Sequence, residues 1–168
     1  MTDTMTPEQR HRCMSRIGSK GTKPELAVRR WLWGHGYRYR LNVKSVPGRP
    51  DIVMRPYRTA IFVNGCFWHG HEGCKAFKTP QSNTAFWEAK IARNRLRDRQ
   101  NYDILHRNGW NVVVVWECQL TTKRLEQTMR RVELVLNQNM LSRYTKQKPQ
   151  AYAVSGSTAP VAAEGGQF

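Results

Sequence analysis

Between Asn64 and Cys74 the chain reads NGCFWHGHEGC, two cysteines, two histidines and two large aromatic rings in eleven residues. Thiolates and imidazoles so crowded are the ligands of borderline metal ions, zinc above all. Cys66, His71 and Cys74 lie on a loop tight enough to wrap one ion, and Cys118, at the end of a later apolar run, would complete a Cys3His set. Four protein ligands close a zinc tetrahedron and leave no place for water, which makes such a site structural. The alternative is that Cys118 ends a buried strand as a small hydrophobe and the loop thiols are free. His69 sits among these ligands and, with four better-placed donors available, is left for other chemistry. Cys13 has no evident partner.

Phosphodiester hydrolysis needs an activated water and somewhere to place developing charge, commonly Mg²⁺ held by carboxylate oxygen. Asp51, in GRPDIV, offers such an oxygen, although Pro-Asp is also a common turn. His69 can take a proton from water near neutral pH if a carboxylate orients its ring, and Asp98 is the candidate partner. Either residue could equally be a satisfied polar group of the core. Phe67 and Trp68, pinned between metal ligands, suit insertion between bases, at a cost on the order of a few kcal/mol per unstacked step and least where pairing is already faulty. Packing in the core is the other fate of such a pair. Met14, between Arg12 and Arg16, would be a second wedge.

The elements that must position these groups follow from pattern. KPELAVRRWLWGHGY starts like a helix, with proline in the first turn and glycine at its end. Its inward face would be Val28, Trp31 and Leu32, with Glu25 on or beside that face, where a solvated first-turn glutamate is the ordinary reading. GRPDIVMRPYRTAIFVNGC is a hairpin turning near Pro56 and Tyr57, which sets Asp51 roughly opposite Phe62 or Val63. NTAFWEAKIARNRLRDRQNYDILHRNGW is a long helix stopped at Asn108-Gly109. Trp87, Ile91, Asn94, Asp98, Tyr102 and Leu105 form one stripe on it, while Lys90, Arg93, Arg95, Arg97 and Arg99 lie mainly off it, available to phosphates or solvent. WNVVVVWEC reads as a strand buried on both faces and parallel to the strand ending at Asn64, so Cys66 and Cys118 would emerge at one end. A last helix is expected over roughly 121–141, followed by a disordered tail rich in Ala, Gly, Ser and Pro.

Charge narrows the partner. The chain carries +16, and its first fifty residues hold eleven basic and three acidic groups. That field attracts polyanions, nucleic acid first and an anionic membrane surface second. It exceeds the net charge of about 2–8 that solubility asks of a small domain. No run approaches the ~20 apolar residues of a membrane span, and the polar N-terminus lacks the apolar centre of a secretion signal. The expected location is the cytoplasm, where four cysteines are better suited to metal or buried thiols than to disulfides.

PGRPDIV, FVNGCFWHGHEGC, FWEAKIARNRLRD and GWNVVVVWEC, in this order and spacing, resemble the very-short-patch repair endonucleases, bacterial enzymes that nick DNA beside T·G mismatches. The resemblance runs from about Met14 to Cys118. It implies a restriction-endonuclease-like three-layer α/β fold, a central mixed sheet flanked by helices, with a structural zinc site. It also implies a Mg²⁺-dependent nick of one strand, 5′ of the thymine left when 5-methylcytosine deaminates. Carried over by match, Asp51 and the carbonyl of Val63 would hold Mg²⁺, Glu25 would support its waters, and His69, paired with Asp98, would activate water. Cys66, His71, Cys74 and Cys118 would hold Zn²⁺, and Met14, Phe67 and Trp68 would enter the duplex from two sides. Residues 1–22 would then be a basic DNA-binding arm, 23–141 the endonuclease domain and 142–168 the tail. A monomer is the simplest state for cutting one strand, and general mismatch-repair proteins are the implied partners.

Two features depart from the family pattern. Asn64 stands where members often carry a histidine near the scissile phosphate, and it can donate a hydrogen bond but bears no charge. The HEGC loop is one residue longer than in some relatives. Two rival functions fit the same residues: a restriction-type nuclease acting on unmismatched DNA, and a non-catalytic zinc-stabilised DNA-binding module.

Overall fold

The computed structural model describes residues 21–146 together with Thr6, Glu8, Gln9 and Arg12. The expectations placed on Cys13, on Met14 and on the tail after 146 lie outside those residues. Near the start, Glu8, Gln9 and Arg12 are helical. The Thr6 N–H donates to Gln9 Oε1 at 3.0 Å and the Gln9 N–H to Thr6 Oγ1 at 3.2 Å, the reciprocal bonds of a capping box.

Helix α1 (Lys23–Gly34) opens on a Thr22 cap with Pro24 in its first turn. The Glu25 N–H donates to Thr22 Oγ1 at 3.4 Å, and the Glu25 carboxylate accepts from Gly21 N–H at 2.9 Å and the Thr22 hydroxyl at 3.0 Å. Arg29, one turn on, adds an ion pair at 2.9 Å. Glu25 is therefore not the solvated glutamate of the ordinary reading: it is 3% exposed and shares the buried face with Val28 and Leu32. Satisfying both oxygens locally is what lets a carboxylate sit there.

Four strands form one sheet in the order β1 (Arg40–Leu41), β2 (Ile52–Met54), β3 (Thr59–Asn64), β4 (Asn111–Trp116). β2 and β3 are the expected hairpin, antiparallel with Ile52 opposite Ile61 and Met54 opposite Thr59. β4 lies parallel to β3, Val63 opposite Val115 and Asn64 opposite Trp116, so the chains toward Cys66 and Cys118 leave from the same end. β4 departs from expectation in its burial, since Val112, Val113 and Val114 are only half-buried. Among the described residues it has a single neighbour in the sheet, and an apolar run covered on its faces stays open along its outer side.

Helix α2 (Thr84–Arg107) connects β3 to β4. It ends as a Schellman turn, with Trp110 N–H bonded to the Leu105 carbonyl at 2.9 Å, Gly109 N–H to that of His106 at 2.9 Å, and Gly109 at φ +72°. Helix α3 (Leu125–Lys146) starts four residues later than expected, because the Thr121 carbonyl accepts from both Arg124 and Leu125 in a separate turn. It also runs five residues longer. No Gly or Pro interrupts it before Lys146, and Arg143 binds the Arg55 and Pro56 carbonyls of the hairpin turn.

Alternation along the strands sorts the core into two halves. Ile52, Met54, Ile61 and Val115 pack with Val28 and Leu32 of α1 and with Met129, Val132 and Leu136 of α3. Val53, Ala60 and Phe62 face the other way, onto Leu105 and Tyr102 of α2. Within residues 21–146 the result is three layers, two helices below a mixed sheet and one above. None of the described helices is long and apolar enough to cross a membrane.

Candidate active site and metal cluster

The end of the sheet where β3 and β4 finish collects the chemistry. Asp51 just precedes β2, and its Oδ2 accepts the Val63 N–H at 2.8 Å, the juxtaposition the hairpin register implied. Burial raises the Asp51 carboxyl above its ordinary value, the Val63 bond opposes that rise, and the nearby Glu25 charge adds to it. Asp51, shielded and with one bond from Val63, is the carboxylate suited to bind a hard cation, while Glu25, whose oxygens are held by Gly21, Thr22 and Arg29, adds its charge nearby.

His69 reaches the same region on the loop after β3. Its Nδ1 bonds to Asp98 Oδ2 of α2, and both side chains are largely shielded. With Nδ1 engaged, the open nitrogen is Nε2, the one able to accept a proton from water.

The α2 stripe is where sequence pattern pointed, but half of it meets a loop instead of the sheet. Asn94 donates to the Trp68 carbonyl at 2.9 Å and Asp98 holds His69, so the two polar interruptions of the stripe grip the loop from the helix. Arg95 does likewise. It bonds the Gly70 carbonyl and pairs with Glu72 at 2.7 Å, so its guanidinium is committed to the loop while the side chain stays exposed, as expected off the stripe. Gly70 has φ +60° and lies so near α2 that an added Cβ would fall 2.6 Å from Ile91 and 2.7 Å from Arg95. Glycine there sets His69 and His71 on different sides of the loop.

Beyond Gly70 lies the metal cluster. Ligand atoms of Cys66, His71, Cys74 and Cys118 all fall within 4.8 Å of one another. His71 Nδ1 is 3.5 Å from Cys66 Sγ and 3.4 Å from Cys118 Sγ. A tetrahedral ion with metal–sulfur bonds of about 2.3 Å and metal–nitrogen bonds of about 2.0 Å requires an N···S edge of about 3.5 Å, so the four side chains fit a tetrahedral metal. The His71 ring stacks on Trp116 at 4.0 Å, which fixes its plane. Burial pushes the Cys66 thiol up to about 12, a cost that a bound cation would reverse.

Phe67 and Trp68, between Cys66 and His69 on the loop, are half-buried. They meet edge-to-face at 5.1 Å, and Trp87 of α2 closes the group at 5.3 Å and 6.1 Å. Phe86, half exposed, continues it, and the Lys90 ammonium lies 5.5–5.6 Å from three of these rings. The sequence reading gives neither Trp87 nor Phe86 a part in this aromatic group. Trp87 falls on the core stripe, and only the fold of the loop shows that this part of the stripe belongs to an aromatic platform.

A basic α/β protein with neighbouring Asp51 and Glu25 carboxylates, a carboxylate-oriented histidine and an aromatic platform at one end of its sheet has the equipment of a nuclease. The comparisons agree. The family model described as DNA mismatch endonuclease Vsr matches residues 2–75. The Type II nicking enzyme V.XorIIP of Xanthomonas oryzae pv. oryzae is 48% identical over 121 residues, 72% of this chain and 88% of its own. The Type II nicking enzyme V.NmeAIP of Neisseria meningitidis is 47% identical, covering 74% and 89% of the two chains. DNA mismatch endonuclease Vsr of Escherichia coli is 42% identical, covering 71% and 76%. The chain belongs to the Vsr family of DNA mismatch endonucleases.

Proposed function

We propose that this endonuclease nicks one strand of a duplex 5′ of the thymine in a T·G mismatch of the kind left by 5-methylcytosine deamination, using Mg²⁺. The observation that carries the reading is the meeting of Asp51, bonded to Val63 N–H, with the His69–Asp98 pair at one end of the sheet. Asp51 and the Val63 carbonyl would hold Mg²⁺, with Glu25 acting through its charge because both its oxygens are already bonded. When bound, the ion would neutralise charge on the phosphate. His69 Nε2 takes the proton of the attacking water, and Asp98 holds the ring and stabilises the imidazolium that results. Zn²⁺ on Cys66, His71, Cys74 and Cys118 pins the loop and leaves the chemistry to its neighbours.

The aromatic group supports mismatch recognition. Phe67 and Trp68, backed by Trp87, form a stiff wedge for the base stack, and a weakened pair lowers the cost of its entry. Met14 of the basic 1–22 arm would enter from the other side. In this reading the core is a restriction-endonuclease-like fold that begins at 23 and, because α3 continues past the expected boundary at 141, ends with that helix at Lys146, with the tail after it. The enzyme acts as a monomer in the bacterial cytoplasm, ahead of general mismatch-repair proteins.

The test is to incubate the purified protein and Mg²⁺ with a duplex carrying one T·G in a methylated-cytosine context, beside its T·A counterpart, and map products strand by strand. A nick confined to the thymine strand is expected. Equal cutting of both duplexes would favour a restriction-type nuclease, and binding without cutting a non-catalytic module.

A further inference from the structure

An amide and a phenol stand beside these groups with no part in the roles above. Asn64, 5% exposed at the last residue of β3, donates through Nδ2 to the Tyr102 hydroxyl oxygen at 3.1 Å. Tyr102 comes from α2 one turn after Asp98, so the two side chains share a helix face. Its ring packs on Phe62 at 5.0 Å. Burial pushes the phenol up to about 12, the Asn64 bond opposes the rise, and the charges of Asp98 and Asp51 reinforce it. Asn64 follows Val63, whose N–H binds Asp51, and Tyr102 follows Asp98 by one turn, so the hydroxyl bonded to Asn64 lies toward the Asp51 and His69–Asp98 groups while the ring packs on the Phe62 side of the core. Its proton stays on at any ordinary pH.

The Asn64 bond also decides where that proton points. A phenol keeps its hydrogen in the ring plane, on one side of the C–O axis or the other. An amide donor on one side turns the hydrogen to the other. A neutral donor beside a site for a divalent cation avoids the repulsion that a charged side chain would meet there.

We propose that Tyr102 is a further catalytic residue, whose hydroxyl, held by Asn64, donates a hydrogen bond to a non-bridging oxygen of the phosphate under attack. The role rests on the functional reading above. Negative charge grows on that oxygen as the water O–P bond forms and the P–O bond to the departing sugar breaks. The water proton passes to His69, the departing sugar oxygen takes a proton from solvent, and the Tyr102 proton stays in place. Asn64 is a positioning residue that works through the phenol.

The experiment compares single-turnover nicking of the T·G duplex by wild type, Tyr102→Phe, Asn64→Ala and the double variant, with duplex binding measured in Ca²⁺. Phenylalanine removes one atom and keeps the packing on Phe62, which makes Tyr102→Phe the deciding variant. It is expected to slow nicking about 100-fold, as loss of a preorganised donor does, with duplex affinity changed less than about twofold. Asn64→Ala is expected to slow it about 10-fold, and the double variant no further than Tyr102→Phe alone. Nicking by Tyr102→Phe at the wild-type rate overturns the proposal, as do a loss of affinity equal to the loss of rate and penalties that multiply independently. Absence of nicking by wild type overturns the functional reading and this role with it.

Discussion

At the scale of single residues, the site separates groups that act on water from groups that hold charge. His69 has one nitrogen committed to Asp98 and one open, so His69→Ala should remove nicking while leaving mismatch binding within about twofold; parallel loss of both would mean the ring is structural. Asp51 makes a sharper prediction, because its carboxyl is raised from an ordinary 3.8 by burial and by Glu25. A carboxyl held above its unfolded pKa binds its proton more firmly when folded, so its ionisation costs stability as pH rises from 3.8 through the folded value. Asp51→Asn, which keeps an oxygen for the Val63 N–H, should abolish nicking yet melt at the same or a higher temperature than wild type at neutral pH in EDTA. The difference should shrink on acidification. Added Mg²⁺ should raise the melting temperature of wild type and leave the variant where it was. Thermal melts across pH and Mg²⁺ decide this, and a variant markedly less stable in EDTA would show that Asp51 is part of the scaffold.

At the scale of elements, the site is a loop gripped by a helix. Gly70 is the point of closest approach, and Gly70→Ala meets both a left-handed backbone and the Ile91 and Arg95 side chains. The strain and overpacking together should cost about 2–4 kcal/mol and slow nicking by separating His69 from Asp98. Gly73, at φ +67° with open space around it, provides the comparison. Gly73→Ala should cost only about 1 kcal/mol, with nicking near normal. Equal effects in denaturant melts and nicking rates would mean that the approach to α2 is unimportant. Much of this arrangement was legible in the sequence. The hairpin register set Asp51 beside Val63, the parallel β3–β4 pair joined Cys66 to Cys118, and the polar breaks at Asn94 and Asp98 marked α2 as more than a core helix. What stayed hidden depends on tertiary closeness. Nothing in its spacing tells that Arg95 folds back onto Gly70, that Trp87 belongs to an aromatic platform, or that Glu25 is buried by bonds to its own helix start. β4 misled for a related reason, since apolar composition reports cover on a strand's faces and says nothing about which strand ends the sheet.

At the scale of the molecule, the charge of +16 and the aromatic platform answer different questions about DNA. Basic side chains neutralise phosphates and release counterions, an effect that falls steeply with salt and is blind to mismatch. Wedging rings depend on how firmly a base pair is stacked, which salt in the same range changes little. Raising salt from about 50 to about 200 mM should therefore weaken binding to T·G and T·A duplexes together, by about 10³-fold if about six phosphates are engaged, with their affinity ratio nearly constant. Trp68→Ala should do the reverse, leaving the slope of log affinity against log salt unchanged while drawing the ratio toward one. Its effect should exceed that of Phe86→Ala, because Trp68 meets both Phe67 and Trp87 whereas Phe86 meets Trp87 alone among these rings. Fluorescence anisotropy on the two duplexes across the salt series measures both quantities at once. A ratio that collapses with salt in the wild type would place discrimination in the phosphate contacts and assign the rings to packing.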